Sequence, residues 1–209
     1  MSAANAANAT SNPTSNATPN ATPNPTPLKE LALIAAGFGG QGVLFTGKIV
    51  ASAALLEDRE VSWLPSYGPE MRGGTANCSV IVSEAAIGSP LVTEPNVLIA
   101  LNLPSYERFE SSVQPGGILF YDSSLFEPTA PRDDLTLVPL PAARLASEND
   151  LKGLGNVIML GALWQLTHFC EEATLADALQ HSISARREHL RKPNLAALAL
   201  GKSAVRKKG

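Results

Sequence analysis

Gly37-Phe38-Gly39-Gly40-Gln41-Gly42 follows the apolar run Leu31–Ala36 and opens a segment patterned as a helix. A G-x-G-x-x-G turn at the end of a strand brings backbone N–H groups and a helix N-terminus against a phosphate or a closely packed partner. Alone, the pattern is weakly specific. Its weight comes from a second glycine-rich element further on, Ser66-Tyr67-Gly68-Pro69-Glu70-Met71-Arg72-Gly73-Gly74, which no ordinary dinucleotide fold requires.

Around these two loops the pattern alternates strand and helix. Leu31–Ala36 predicts a buried first strand, and Gln41 to Glu57 a helix whose Val43, Leu44, Gly47, Val50, Ala51, Ala54 and Leu55 share one face. Gly47, Ala51 and Ala54 let that helix lie close on a sheet. Val61–Leu64 predicts a second strand, and Pro65 through Gly74 a loop. Thr75 to Ser83 alternates, with Ala76, Cys78, Val80 and Val82 on one side, as an antiparallel strand would. Glu84 to Pro90 reads as a turn and an edge. Val97–Leu101, Ile118–Tyr121 and Leu135–Leu140 follow as strands, the last at an edge, with a short helix from Asn102 through Phe109.

The C-terminal third is helical. Asn156 to Phe169 is apolar nearly all round and so is buried on most sides. Thr174 is the expected cap of the next helix, and Pro193-Asn194 precedes a last helix through Ala204. The fold class is therefore α/β: a largely parallel mixed sheet flanked by helices, with a Rossmann-like glycine turn and a helical C-terminal third.

Residues 1–27 stand apart. After Met1 they are only Ala, Asn, Thr, Ser and Pro, with no charge and no large apolar side chain. Such a stretch cannot bury enough surface to offset its ordering entropy, so disorder is expected there. Its N-x-T triplets at Asn8, Asn16 and Asn20 follow no apolar signal region and read as by-products of composition. Residues 28–205 are expected to form one domain, and 206–209 a basic end.

Two cysteines, Cys78 and Cys170, without C-x-x-C spacing point to neither a disulfide framework nor an iron–sulfur or zinc site. No run is long and apolar enough to span a membrane. A cytoplasmic protein is the expectation. From Arg186 to Gly209 there are eight Lys/Arg against a single acid, Glu188. That segment reads as a solvated helix end, or as a surface for an acidic or phosphate-bearing partner. It has no interleaved aromatics, which argues against nucleic acid.

Complete catalytic constellations are missing from the pattern. Asp58 lies at about the offset of a ribose-binding acid. It falls in the charged run Glu57-Asp58-Arg59-Glu60 rather than at a strand tip, which argues against NAD. His168, His181 and His189 sit away from the glycine loops, and His168 reads as a packed histidine. There is no nucleophile elbow, no H-E-x-x-H and no Walker sequence. Cys78, on the apolar side of its strand, reads as a buried inert thiol. Arg72 has two readings: a bidentate grip on phosphate or carboxylate, or an internal bridge to Glu70 or an Asp that holds its loop shut.

With both loops in view, the chain resembles the gamma subunit, or gamma domain, of the 2-oxoacid:ferredoxin oxidoreductases. The resemblance rests on the Gly37–Gly42 turn, on Tyr67-Gly68-Pro69-Glu70-Met71-Arg72-Gly73-Gly74-Thr75-Ala76-Asn77-Cys78, and on Ala100-Leu101-Asn102-Leu103-Pro104-Ser105. Gly116-Gly117, and Asn156 with Leu160-Gly161-Ala162, fit as well, so it runs from about residue 31 to 201.

The resemblance implies a complex that oxidatively decarboxylates a 2-oxoacid to acyl-coenzyme A and reduces ferredoxin. Thiamine diphosphate and iron–sulfur clusters would sit on thiamine-binding alpha and beta subunits and a ferredoxin-like subunit. This chain would bind no cofactor alone and contribute coenzyme A handling and assembly. Carried over, Gly37, Gly39, Gly40, Gln41 and Gly42 would face the coenzyme A phosphates or the subunit interface, with Tyr67, Arg72, Gly73 and Gly74 opposite. The form of the second loop is closest to the 2-oxoglutarate and ketoisovalerate members. A purely structural assembly subunit and a stand-alone nucleotide-binding module are the alternatives.

Overall fold

The structure is a computed structural model that describes residues 28–66 and 75–206. The expected disordered segment 1–27, most of the second glycine loop and the basic end 207–209 lie outside the described residues.

Six strands form one sheet in the order β2-β3-β1-β4-β5-β6. They are β1 (Leu31–Phe38), β2 (Glu60–Ser66), β3 (Thr75–Ser83), β4 (Val97–Ala100), β5 (Ile118–Asp122) and β6 (Thr136–Leu140). β1, β4, β5 and β6 run parallel, with Ile34 opposite Leu98 and Leu98 opposite Leu119. β3 runs antiparallel between β1 and β2, with Ala35 opposite Cys78 and Cys78 opposite Pro65. The alternation of Thr75–Ser83 thus marks the one strand that reverses direction.

α1 (Val43–Leu55), α3 (Ala142–Glu148), α4 (Gly155–Thr167), α5 (Glu172–His181) and α6 (Arg191–Arg206) cover one face of the sheet. Cys78, Val80 and Val82 of β3 and Leu31, Leu33 and Ala35 of β1 point into that layer. α2 (Leu103–Phe109) lies on the other face, where Ile34, Ala36, Leu98 and Ala100 meet Tyr106, Tyr121 and Val113. Gly47 is the close approach of α1 to the sheet, because the Cys78 sulfur stands where its Cβ would be. α4 is buried at Val157 through Gln165, as its all-round apolar sequence requires.

Four expectations are corrected. Pro65 and Ser66 belong to β2 rather than to the loop; β2 is a sheet edge, where a residue lacking N–H costs nothing. α5 begins at Glu172, not at Thr174: Glu171 is its N-cap, and the Glu171 N–H is held by Glu57 from across the fold. Pro193 lies inside the first turn of α6, where its missing N–H has no helical acceptor to lose. Residues 84–90 form bends and no edge strand. α3 and the 3₁₀ segments Glu110–Ser112 and Ala185–Leu190 have no counterpart in the pattern reading.

Candidate functional site

α1 follows β1 on one face of the sheet and α2 follows β4 on the other. Adjacent parallel strands whose helices depart to opposite faces leave a crevice at their C-terminal ends. The Gly37–Gly42 turn and Leu101-Asn102 bound that crevice.

Within the turn, the residues divide. Gly37 is buried; a Cβ there would lie 2.8 Å from the Gln41 Oε1 and 3.1 Å from the Leu101 Cβ. The Gln41 side chain points inward. Its Nε2 donates to the Leu101 carbonyl at 2.9 Å, and its Oε1 accepts from the Phe38 N–H at 2.6 Å and from the Asn102 Nδ2 at 3.2 Å. Gly39 and Gly40 are exposed, with open space around the Gly40 Cα. Gly42 has φ of 79° and is the N-cap of α1, with the Asn156 amide standing where its Cβ would be. Of the turn residues, Gly39 and Gly40 face outward and Gly37 does not.

α1 has no side-chain cap and no acid in its first turn, and α4 likewise begins with neither. The two helix starts meet where the Asn156 Nδ2 donates to the Gly42 carbonyl at 3.3 Å. Beside them lies a cavity of about 350 Å³ whose lining includes Gly40, Gln41, Asp122, Leu125, Lys152 and Asn156. Lys152 is exposed and makes no ion pair with the described residues. Two helix N-termini and an unpaired ammonium favour an anion. Asp122 commits its carboxylate oxygens to the fold: its Oδ2 accepts from the Ala143 N–H at 2.9 Å, and its Oδ1 from the Ser124 N–H at 3.0 Å. Lys152 belongs to no motif. Asn102 and Asn156 belong to stretches that carry the family resemblance, but only the convergence of distant segments brings them beside the turn.

Tyr67, Arg72, Gly73 and Gly74 lie outside the described residues. The strand ends that carry their loop are placed, however. Thr75 pairs with Phe38, and Ser66 with Asn77, so both anchors stand at the edge of the sheet that bears the glycine turn.

Asp58 sits in the turn between α1 and β2 with φ of 56°, at the opposite end of the sheet from the glycines. It lines a separate cleft of about 750 Å³ with Arg59, His168 and Cys170. Arg59 in that cleft serves the fold: its guanidinium donates to the Phe169 and Lys29 carbonyls, each at 2.8 Å. His168 packs its ring against Trp164, with centroids 4.6 Å apart. Burial pushes the Cys78 thiol up to about 11 and raises Cys170 further, so both are poor nucleophiles. Among the described residues, no group of His, Cys, Asp and Glu could hold a metal ion, and no helix is long and apolar enough to cross a membrane.

Comparison with known proteins places this architecture. The chain is 39% identical over 159 residues to the ketoisovalerate oxidoreductase subunit VorA of Methanothermobacter marburgensis, a match covering 76% of this chain and 33% of that one. It is 35% identical over 158 residues to the 2-oxoglutarate synthase subunit KorC of Methanocaldococcus jannaschii, covering 74% and 83%. The 2-oxoglutarate:ferredoxin oxidoreductase of Magnetococcus marinus, solved with 2-oxoglutarate, coenzyme A and succinyl-CoA bound, superposes with a TM-score of 0.80 at 28% identity. That superposition covers 87% of this chain and 32% of the Magnetococcus chain. This chain thus spans about a third of the length of VorA and most of the length of KorC. Residues 32–204 match the pyruvate ferredoxin/flavodoxin oxidoreductase family, and the chain belongs to it.

Proposed function

We propose that this chain is the gamma-type subunit of a 2-oxoacid:ferredoxin oxidoreductase and that its glycine turn receives the phosphates of coenzyme A. One observation carries the reading. The exposed Gly40 backbone, the uncapped start of α4 at Gly155-Asn156 and the unpaired Lys152 line one cavity, beside the uncapped start of α1 at the switch point of the sheet. Relatives named for ketoisovalerate and 2-oxoglutarate support those two acids as substrate classes, and a fold neighbour holding coenzyme A supports the ligand.

In the complete reaction the 2-oxoacid loses CO₂, its electron pair passes to ferredoxin, and the acyl group is delivered to the coenzyme A thiol. Thiamine diphosphate and iron–sulfur clusters belong to the alpha, beta and ferredoxin-like partners, in a cytoplasmic complex. Among the described residues no three His, Cys, Asp or Glu side chains gather as metal ligands, and both cysteines are buried. Its own residues hold and orient the anionic end of coenzyme A, and Tyr67, Arg72, Gly73 and Gly74 of the second loop are further candidates for contacting it.

A second reading, assembly alone, has its own support. Phe38, Leu103 and Leu125 are exposed apolar side chains borne by the turn, the start of α2 and the cavity wall. Such a rim suits a partner subunit.

The test is a pair of isosteric variants in the assembled complex, Gly40→Asp and Gly40→Asn. Both strain the backbone equally, since Gly40 has φ of 96°. They match in size and differ in charge, the asparagine carrying amide donors in place of one carboxylate oxygen. If phosphate is received there, the aspartate raises the KM for coenzyme A about tenfold over the asparagine, while thiamine-dependent decarboxylation without coenzyme A is unchanged. Equal KM values with weakened assembly in both would favour the structural reading.

A further inference from the structure

We propose that Gln41 and Asn102 are a positioning pair that sets the anion site without touching the ligand. This rests on the reading of the turn as the receiver of the coenzyme A phosphates.

Every polar atom of the Gln41 side chain is used within the protein. Nε2 donates to the Leu101 carbonyl at 2.9 Å, bridging the crevice between β1 and β4. Oε1 accepts from the Phe38 N–H at 2.6 Å, which closes the turn on itself. The same oxygen accepts from the Asn102 Nδ2 at 3.2 Å. Asn102 is 5% exposed and also the N-cap of α2, its Oδ1 accepting from the Ser105 N–H at 2.8 Å. One unbroken chain of hydrogen bonds therefore runs from the end of β1, through Gln41 and Asn102, into the start of α2.

This arrangement has two consequences. The turn presents its main chain more freely than the Gln41 side chain, whose Oε1 and one of whose two Nε2 hydrogens are committed to Phe38, Asn102 and Leu101. The first turn of α1 begins at Val43, immediately beyond Gln41 and Gly42, so the direction of its free amides is set by where this brace holds the loop. Preorganised amides lose their advantage when their loop can wander. The buried Gly37 belongs to the same device, since any side chain there would displace the Gln41 amide.

The test uses the assembled complex with Gln41→Ala, Asn102→Ser and the double variant. Asn102→Ser is the decisive one. Serine still caps α2 through its hydroxyl, so the fold is kept, but it has no amide to give Gln41. Each single variant is expected to raise the KM for coenzyme A about five- to tenfold. The double variant should exceed the larger single by less than twofold, because both break one brace. Decarboxylation without coenzyme A, subunit composition and Tm should stay near wild type for Asn102→Ser.

Unchanged KM in Asn102→Ser and Gln41→Ala, alongside a raised KM in Gly40→Asp, would overturn the positioning role and leave the anion site standing. A silent Gly40→Asp would remove the anion site and the positioning role with it. Multiplicative effects in the double variant, or parallel loss of both half-reactions, would reduce the pair to separate structural contacts.

Discussion

Gly201 of α6 lies against the carbonyl oxygen of Ile158 in α4, with no space for a Cβ between them. Gly161 of α4 meets the Leu198 carbonyl of α6 in the same way, so the two helices touch backbone to backbone. Close contact carries Lys202 over the Trp164 ring, 4.8 Å from its centroid, and into an ion pair with Glu172.

Alanine in an exposed helix interior is normally worth about 1 kcal/mol over glycine. Here the sign should reverse. Gly201→Ala and Gly161→Ala each force the helices apart, at about 3 kcal/mol or more, since backbone cannot move aside as a side chain can. Thermal unfolding should show a Tm lower by about 6–12 °C for each variant. A rise in Tm would refute the close crossing.

Asp122 at the end of β5 caps α3 from outside that helix, through the Ala143 N–H, while it holds Ser124. Its side chain is buried, so deletion leaves donors unpaired. Asp122→Ala should cost about 1–3 kcal/mol in denaturant unfolding, and Asp122→Asn less, since the amide oxygen still accepts. Equal stability of the three would show that α3 holds without the cap.

Alkaline pH should destabilise the fold through its buried thiol and phenol. Burial raises the Cys78 thiol to about 11 from an ordinary value of 9.0, and the buried Tyr121 phenol, which donates to Glu127, to about 12. Both groups are neutral in the fold. Their contribution is complete below the unfolded pKa and is lost as pH rises towards the folded one. For Cys78 that window is pH 9 to 11, about 2–3 kcal/mol across it. Urea unfolding in that range should show the slope, and Cys78→Ala should reduce it. Both thiols should be silent to Ellman's reagent at pH 8 and titrate fully in denaturant.

Arg72 gives a further test, of the second loop. If its guanidinium grips a coenzyme A phosphate, Arg72→Ala in the complex raises the KM about 10- to 150-fold and spares decarboxylation without coenzyme A. Arg72→Lys should recover part of the loss, keeping charge without the planar fork. Normal kinetics and assembly would leave Arg72 as an internal bridge of its loop.

The elements themselves were legible in the sequence wherever local pattern and burial agree. Thr75–Ser83 announces its buried face by alternation, and Leu31–Ala36, Ile118–Tyr121 and the all-apolar α4 announce theirs by unbroken apolar runs, because an element covered on both sides buries nearly every side chain. The glycine turn and its family were legible too, since backbone approach leaves glycines at fixed spacing. Other features had no local signature. α3 has no cap beside it in sequence; its cap comes from Asp122, on another element. Gln41 is read from the motif as a site residue, and its sequence gives no sign that its amide donates to the Leu101 carbonyl, 60 positions away. Asn156 reaches Gly42 across 114 positions. What the sequence determined alone was which segments fold and where main chain comes close to a partner. Which polar atoms remain free to bind was decided only by tertiary structure, since a hydrogen bond between distant segments consumes donors that no local pattern can count.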